Sequence, residues 1–354
     1  MPARSKVENG ILPSQAITGL IATGAIVLAA PPAAGQLQPA SLDLRLGPQA
    51  LRIRASFLPR AGEPVAAKLK DLALHTIDLT APQGAVLETG CVYVVPLQES
   101  LNLPKDLAAT ANPKSSTGRL DVFTRVIADG VPAFDQVPAG YAGKLYAEIC
   151  PQTFPIIVRQ GSRLSQIRFR RGVLDTAKAR KVDLSVELAP GKEGASTAGG
   201  LVGYRAKRHT GVIDIDRPGA YDTADFWEPI RQRPGESRLI LDPDQFYILA
   251  SKEAVSVPPD EAAEMVPFNP LVGEFRVHYA GFFDPGFGLG ETGGKGARAV
   301  LEVRSHTVPF IIEDGQPIGR LIYEPMTERP DVLYGAGLKS NYQGQGLKLG
   351  KHFK

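Results

Sequence analysis

The sequence predicts an all-β protein built from two similar halves, and three observations carry that expectation. Thirty prolines and 37 glycines accompany few stretches of helical periodicity, which is the composition of short strands separated by turns. Apolar and polar residues alternate over brief runs such as 92–95 and 246–249, each bounded by Pro, Gly or Asp. The segment 87–106, LETGCVYVVPLQESLNLPKD, returns as 241–260, LDPDQFYILASKEAVSVPPD. Leu87, Tyr93, Glu99, Pro104 and Asp106 meet Leu241, Tyr247, Glu253, Pro258 and Asp260 at a constant interval of 154 residues (241 less 87). Glu148, Pro155 and Gly161 meet Glu302, Pro309 and Gly315 at the same interval. Fusion of two copies explains this spacing, and positions kept in one copy but lost in the other then locate the chemistry.

At 354 residues the chain is long enough for two domains, each with its own core. Apolar content of 43% and charged content of 22% are those of a globular protein. A formal net charge of +3 is too small to argue for a nucleic-acid partner, yet it allows a local basic pocket for phosphate. The first element is expected within 11–30, ILPSQAITGLIATGAIVLAA, which follows Arg4 and Lys6 in the manner of a signal segment. Pro13, Ser14, Gln15, Thr18 and Thr23 interrupt its apolar run, so a short helix is expected, with Ser14 as N-cap and Ile17, Leu20 and Ile21 on one face. No membrane span is expected, and the cytoplasm is the default location.

The first copy then runs to about Arg171, ending in the apolar strand 164–169. Residues 173–200 turn charged and small, with APGKEGASTAGG reading as a linker. The division is therefore placed at 1–190 and 191–354. The second copy ends its matching strand at 318–323, and a tail rich in Gly, Lys and Gln follows. Cys91 and Cys150 have Gln245 and Arg304 as counterparts and read as buried strand positions, with neither a disulfide framework nor a metal spacing. His75, His209, His278, His306 and His352 form no HExxH or CxxC constellation, so no protein-held zinc is expected.

Three constellations carry chemistry. Residues 113–119, PKSSTGR, set Lys114 and Arg119 around Ser115, Ser116, Thr117 and Gly118, a set of donors suited to phosphate oxygens. The second copy reads LVGEFR there: Arg276 persists while the lysine and both serines are gone. Upstream, SLDLRLG alternates Leu42, Leu44 and Leu46 with Ser41, Asp43 and Arg45, a strand with one polar face and no obvious counterpart. Finally, FDQVPAGYAGKLYAE and FDPGFGLGETGGKGARAVLE are Asp-containing hairpins that lead into strands bearing Glu148 and Glu302. A carboxylate among apolar strand residues has its charge disfavoured, which raises its pKa toward the range useful for moving protons. The same hairpin holds two decoys: Gly288, Gly290 and Gly293 spell GxGxxG before a strand-like run, and Gly294–Lys295 lacks the rest of a P-loop.

Taken together, SLDLRLG, PKSSTGR, the FD hairpins with their downstream Glu, RLSQIRF and the terminal YQGQG resemble the deoxycytidine triphosphate deaminases of the trimeric dUTPase superfamily. The resemblance covers most of both copies outside roughly 172–235. It implies two tandem dUTPase-like domains (β-clip, distorted jelly-roll) with a short N-terminal helix, and zinc-independent hydrolysis of dCTP to dUTP and ammonia. Lys114, Ser115, Ser116, Thr117, Gly118 and Arg119 would then hold the triphosphate and position water, with Ser115 and Arg119 nearest the chemistry. Asp135 would cradle deoxyribose and base, Tyr146 and Ala147 would present backbone groups to the pyrimidine, and Glu148 would be the general base. Gln166 joins this substrate-binding set through its motif, and Arg276, Asp284 and Tyr334 are counted in the set as well. Lys339, Tyr342 and Gln345 would close over the site as a lid. Magnesium would arrive with the triphosphate, dTTP is the expected inhibitor, and homo-oligomers with threefold rings are implied.

The best phosphate loop lies in the first copy and the better hairpin, FDPGFG, in the second. Rings made of one domain type favour Glu148 as the base, whereas mixed rings would use Glu302. A dUTP pyrophosphatase, a bifunctional deaminase and pyrophosphatase, and a non-catalytic nucleotide-binding regulator are the competing expectations.

Overall fold

A computed structural model of the chain describes residues 8–173, 177–189, 200–267, 275–277, 281–289, 295–305, 307–335, 342 and 344–354. Strands dominate these residues, and the helices among them are Ser14–Ala22, Val65–Leu72, Ser115–Gly118 and Thr223–Phe226. In the first of them Ile17 faces the core, as its spacing predicts, but Pro13 occupies the N-cap and Ser14 is already helical. Proline suits that place because its missing N–H is one the first turn leaves unpaired anyway.

The duplication is visible in the strand order. In the first half one sheet runs Gln136–Val137, Leu107–Pro113, Arg163–Arg171, Ser41–Arg45 and Leu37–Gln38. A second runs Val122–Ala128, Ala142–Pro151, Val92–Asn102, Gln49–Ile53 and Ala73–Asp78. The second half repeats the first order as Phe282–Phe283, Glu261–Pro267, Pro317–Pro325 and Lys181–Ser185. It repeats the second as Phe275–Val277, Ala297–Ser305, Phe246–Val255, Leu201–Ala206 and Trp227–Arg231. Register repeats too: Glu148 lies opposite Val94 and Glu302 opposite Ile248, while Gln166 lies opposite Asp43 and Arg320 opposite Asp183.

Two sequence expectations change here. The strand Lys181–Ser185 lies in the charged stretch 173–200, ahead of the linker composition at 189–200, and it pairs with Pro317–Pro325 of the second half. A boundary at 190 would cut that sheet, so the division falls ahead of residue 181. The same strand is the missing counterpart of Ser41–Arg45. That first-half strand, expected to keep one polar face outward, is buried on both faces, with Asp43 and Arg45 both inaccessible. Burial of ionic groups requires partners, and Arg45 finds Glu99 at 2.7 Å while Asp43 finds Lys114 at 2.5 Å.

Each half has apolar clusters of its own, and a further cluster joins them. Phe154 and Tyr93 of the first half pack with Phe226, Trp227 and Phe246 of the second. The Phe154 and Trp227 rings meet edge-on with centroids 5.4 Å apart. Each such fully buried aromatic contributes about 2–3 kcal/mol of hydrophobic stabilisation, so the halves act as one body. Polar ties cross the same boundary, from Asn112 Nδ2 to Glu264 at 2.9 Å and from Arg304 to Asp121. Cys150 is a buried strand thiol and Cys91 is half-buried; both are free.

Candidate active site

Pro113 ends a strand, and the next residues wind into the single turn Ser115–Gly118. The Lys114 N–H and the Thr117 hydroxyl both donate to the Leu164 carbonyl, at 2.9 and 2.8 Å, which pins the loop to the strand behind it. Thr117 therefore spends its hydroxyl on the fold, and Gly118 is buried away from the opening. Lys114, Ser115, Ser116, Thr117 and Arg119 line a cavity of about 330 Å³. Gln166 lines it as well, its Nε2 3.4 Å from the Pro113 carbonyl.

The opposite wall comes from the second half. Glu302, Asp284, Tyr334, Tyr342 and Gln345 all face this cavity. Glu302 lies 4.0 Å from Arg119, and burial pushes its carboxyl up to about 8, with Arg119 opposing the rise and Asp121 adding to it. The cause is desolvation, which penalises the charged form. Asp284 is raised by burial as well, countered by Arg168 and Lys114. The turn carrying it needs glycine: Gly286 has φ +98°, and a Cβ there would meet the Leu333 Cβ at 2.9 Å and the Tyr334 nitrogen at 3.0 Å. Tyr334 stacks near Phe287, and burial raises its phenol.

Glu148, the base favoured by the ring-closure argument, is not in this cavity. Arg125 binds it, with Nη2 at 2.5 Å and Nε at 3.1 Å from the same carboxylate oxygen. The two halves share a boundary within one chain, and there the first-half loop and the second-half glutamate line one cavity. Asp135 belongs to the Glu148 side, where its Oδ1 accepts from the Val126 N–H at 2.7 Å and burial lifts its carboxyl to about 7. Tyr146 and Ala147 are buried in apolar clusters away from the cavity. Arg276 sits in a strand opposite Arg304. Lys339 lies outside the described residues.

The tail reaches the loop. The Tyr342 ring lies 3.9 Å from the Arg119 guanidinium carbon, and Arg119 donates to Gln345 Oε1 at 3.0 Å and the Lys348 carbonyl at 2.9 Å. Its Nε, facing Glu302, has no hydrogen-bond partner among the described residues. Sequence reasoning missed Arg163, which is 3.4 Å from Asp43, and Lys351, whose ammonium is depressed by burial and by the charges of Lys114 and Arg163. Both line the cavity. It also missed Arg168, fully buried over the Phe282 ring and 3.4 Å from Asp284. Arg163 and Arg168 both lie within the RLSQIRF motif, but nothing in one sequence tells a buried arginine from a solvated one. His352 also lines the cavity; burial holds its imidazole down at about 4, and Nε2 lies 3.1 Å from the Ile215 carbonyl.

Comparison with known proteins agrees with this two-part architecture. Residues 8–173 match the model of the 2'-deoxycytidine 5'-triphosphate deaminase (DCD) N-terminal domain, and residues 172–353 match that of the C-terminal domain. A dCTP deaminase of Halorubrum lacusprofundi is 32% identical over 137 residues, covering 38% of this chain and 63% of that protein. A dUMP-forming dCTP deaminase of Clavibacter michiganensis is 32% identical over 130 residues, covering 36% of this chain and 60% of the relative. The chain thus spans somewhat under two thirds of the length of these curated relatives. A crystal structure of 2'-deoxycytidine 5'-triphosphate deaminase from Agrobacterium tumefaciens shares 56% identity and a TM-score of 0.84, covering 90% of this chain and all of that one. With both domain models in order along nearly its whole length, the chain belongs to the 2'-deoxycytidine 5'-triphosphate deaminase family.

Proposed function

We propose that this chain hydrolyses the C4 amino group of dCTP, giving dUTP and ammonia, with Glu302 as the proton carrier. The observation that supports it most is the meeting, in one cavity, of a buried carboxyl shifted to about 8 with Lys114, Ser115, Ser116, Thr117 and Arg119 of the loop. A carboxylate with such a pKa is basic enough to take a proton from water and acidic enough to return it. As the water oxygen bonds to C4, Glu302 takes one proton and delivers it to N3. It then moves the remaining hydroxyl proton to N4, the C4–N4 bond breaks, and ammonia leaves. Arg119 supports the ionised form of Glu302. Lys114, Arg163 and Lys351 supply the positive end that a triphosphate needs.

Magnesium enters this proposal as a counter-ion of the triphosphate. Among the described residues no group of three His, Cys, Asp or Glu is placed to hold a metal, and Asp43 is engaged by Lys114 and Arg163. The repeated strand order is what we assign to tandem dUTPase-like domains. The proposal extends to threefold assembly, inhibition by dTTP and a cytoplasmic location. No helix among the described residues is long and apolar enough to cross a membrane.

A second reading, a bifunctional enzyme that carries dCTP through to dUMP, is favoured by the dUMP-forming names of several relatives and by Asp284 beside the phosphate loop. Incubation of the purified chain with dCTP separates the two readings. Ammonia with dUTP supports the first; ammonia with pyrophosphate supports the second. Pyrophosphate from dUTP without ammonia from dCTP makes the chain a dUTP pyrophosphatase, and binding without either product makes it a regulator.

A further inference from the structure

The place equivalent to Glu302 in the first half is closed by a side chain of that half. Glu148 is 1% exposed, and its Oε1 takes both hydrogen bonds from Arg125 while its Oε2 has no partner among the described residues. The Arg125 guanidinium carbon lies 3.5 Å from the Phe134 ring centroid and 4.6 Å from that of Phe123, and its Nη2 donates to the Ser56 hydroxyl at 2.9 Å. Phe134 immediately precedes Asp135, as Phe283 precedes Asp284. A flat cation is therefore sandwiched beside aromatic rings and hydrogen-bonded edge-on to a buried glutamate. A protonated aminopyrimidine would make the same two contacts, stacking by its face and donating from both nitrogens of its amidinium edge to the carboxylate.

We infer that the first half retains the shell of a second base-binding site, that Arg125 occupies it as an internal ligand, and that each chain therefore offers one nucleotide site. The inference rests on the reading of the Glu302 cavity as the nucleotide site. The ligand class of the vacated shell is a planar amidinium or guanidinium cation, and the shell binds no triphosphate of its own because the matching loop sequence, LVGEFR, has lost the lysine and both serines.

Two measurements test this. Calorimetric titration of the intact chain with dCTP is expected to give one nucleotide per chain. A value of two overturns the inference, and no binding at all instead sinks the proposed function. The second uses Arg125→Ala in a Glu302→Gln background, so that the cavity glutamate cannot contribute its charge. Millimolar 2-aminopyridine, protonated near neutral pH, is expected to raise its melting temperature by several degrees. The Arg125 parent should show no shift, and adding Glu148→Gln should abolish it. No shift, or one that survives loss of Glu148, overturns the shell; should the alanine variant not fold, the stoichiometry of the intact chain still decides.

Discussion

Glu148 and Glu302 hold one register position on equivalent strands, 154 residues apart, and their surroundings have diverged. Arg125 grips the first at 2.5 Å; among the described residues the cation facing the second, Arg119, stands off at 4.0 Å, across a cavity that also holds the phosphate-type loop. A guanidinium in contact neutralises a buried carboxylate and fixes it as part of the fold. A carboxyl left without such contact stays proton-hungry, as its rise to about 8 records. Strand register thus preserves a residue through duplication, while the ionic neighbour decides whether the residue is structural or available.

The widest separation between the two is expected in turnover. Glu302→Gln should lower ammonia release from dCTP by about a thousandfold, within the range for loss of a proton-transferring group, whereas Glu148→Gln should stay within a few-fold of the parent. Equal losses in both would erase the distinction. The pH dependence of Glu302 has a definite sign. Its folded-state pKa is above the ordinary carboxylate value, so the folded chain holds the extra proton and stability declines as pH rises from about 4.5 through about 8. Glu302→Gln should therefore unfold at higher urea than the parent at pH 8, its stability greater by roughly 4–5 kcal/mol, while being far less active.

The phosphate end offers the next largest effect. Lys114→Ala removes a charge-assisted contact expected in ground and transition states alike, so KM should rise about tenfold to a hundredfold with kcat nearly unchanged. Steady-state kinetics checks this, and a loss confined to kcat would move Lys114 from binding to chemistry.

Much of this contrast was legible beforehand, and its failures have physical causes. The interval of 154 announced two copies, and the loss of Lys114, Ser115 and Ser116 from the second marked them as unequal. The strand Lys181–Ser185 was hidden because its exposed Asp183 and Lys181 give it loop-like composition, and only pairing with Pro317–Pro325 makes it a strand. The choice between Glu148 and Glu302 was beyond reach for a different reason. It depends on which glutamate the chain's own second half carries to the loop, and on Arg125, a strand arginine like many others until its 3.5 Å approach to Phe134 is seen.

On the structural side of the contrast, Glu148→Gln should cost about 2 kcal/mol of folding stability. Removing one partner of a buried pair leaves the other charge uncompensated, and the figure is kept below that for a fully buried pair because the Arg125 side chain is 24% exposed. Arg125→Met should recover part of the loss in the Glu148→Gln background, as a double-mutant cycle by urea unfolding would show; strictly additive effects would mean that the pair is not coupled.

The smallest expected effect concerns the tail that closes the Glu302 side and has no part on the Glu148 side. His352 is buried with Nε2 3.1 Å from the Ile215 carbonyl, and its imidazole is held down at about 4, first by burial and then by Lys351. The unfolded chain takes up a proton near pH 6.5 that the folded chain refuses until about 4, so this stabilisation is complete above pH 6.5 and is lost as pH falls between those values. The part of this loss that falls between pH 7 and pH 5 should amount to about 2 kcal/mol. His352→Gln, whose amide can still donate to the carbonyl, should show a shallower decline of urea midpoint from pH 7 to pH 5 than the parent. Parallel declines would place the acid sensitivity in other groups.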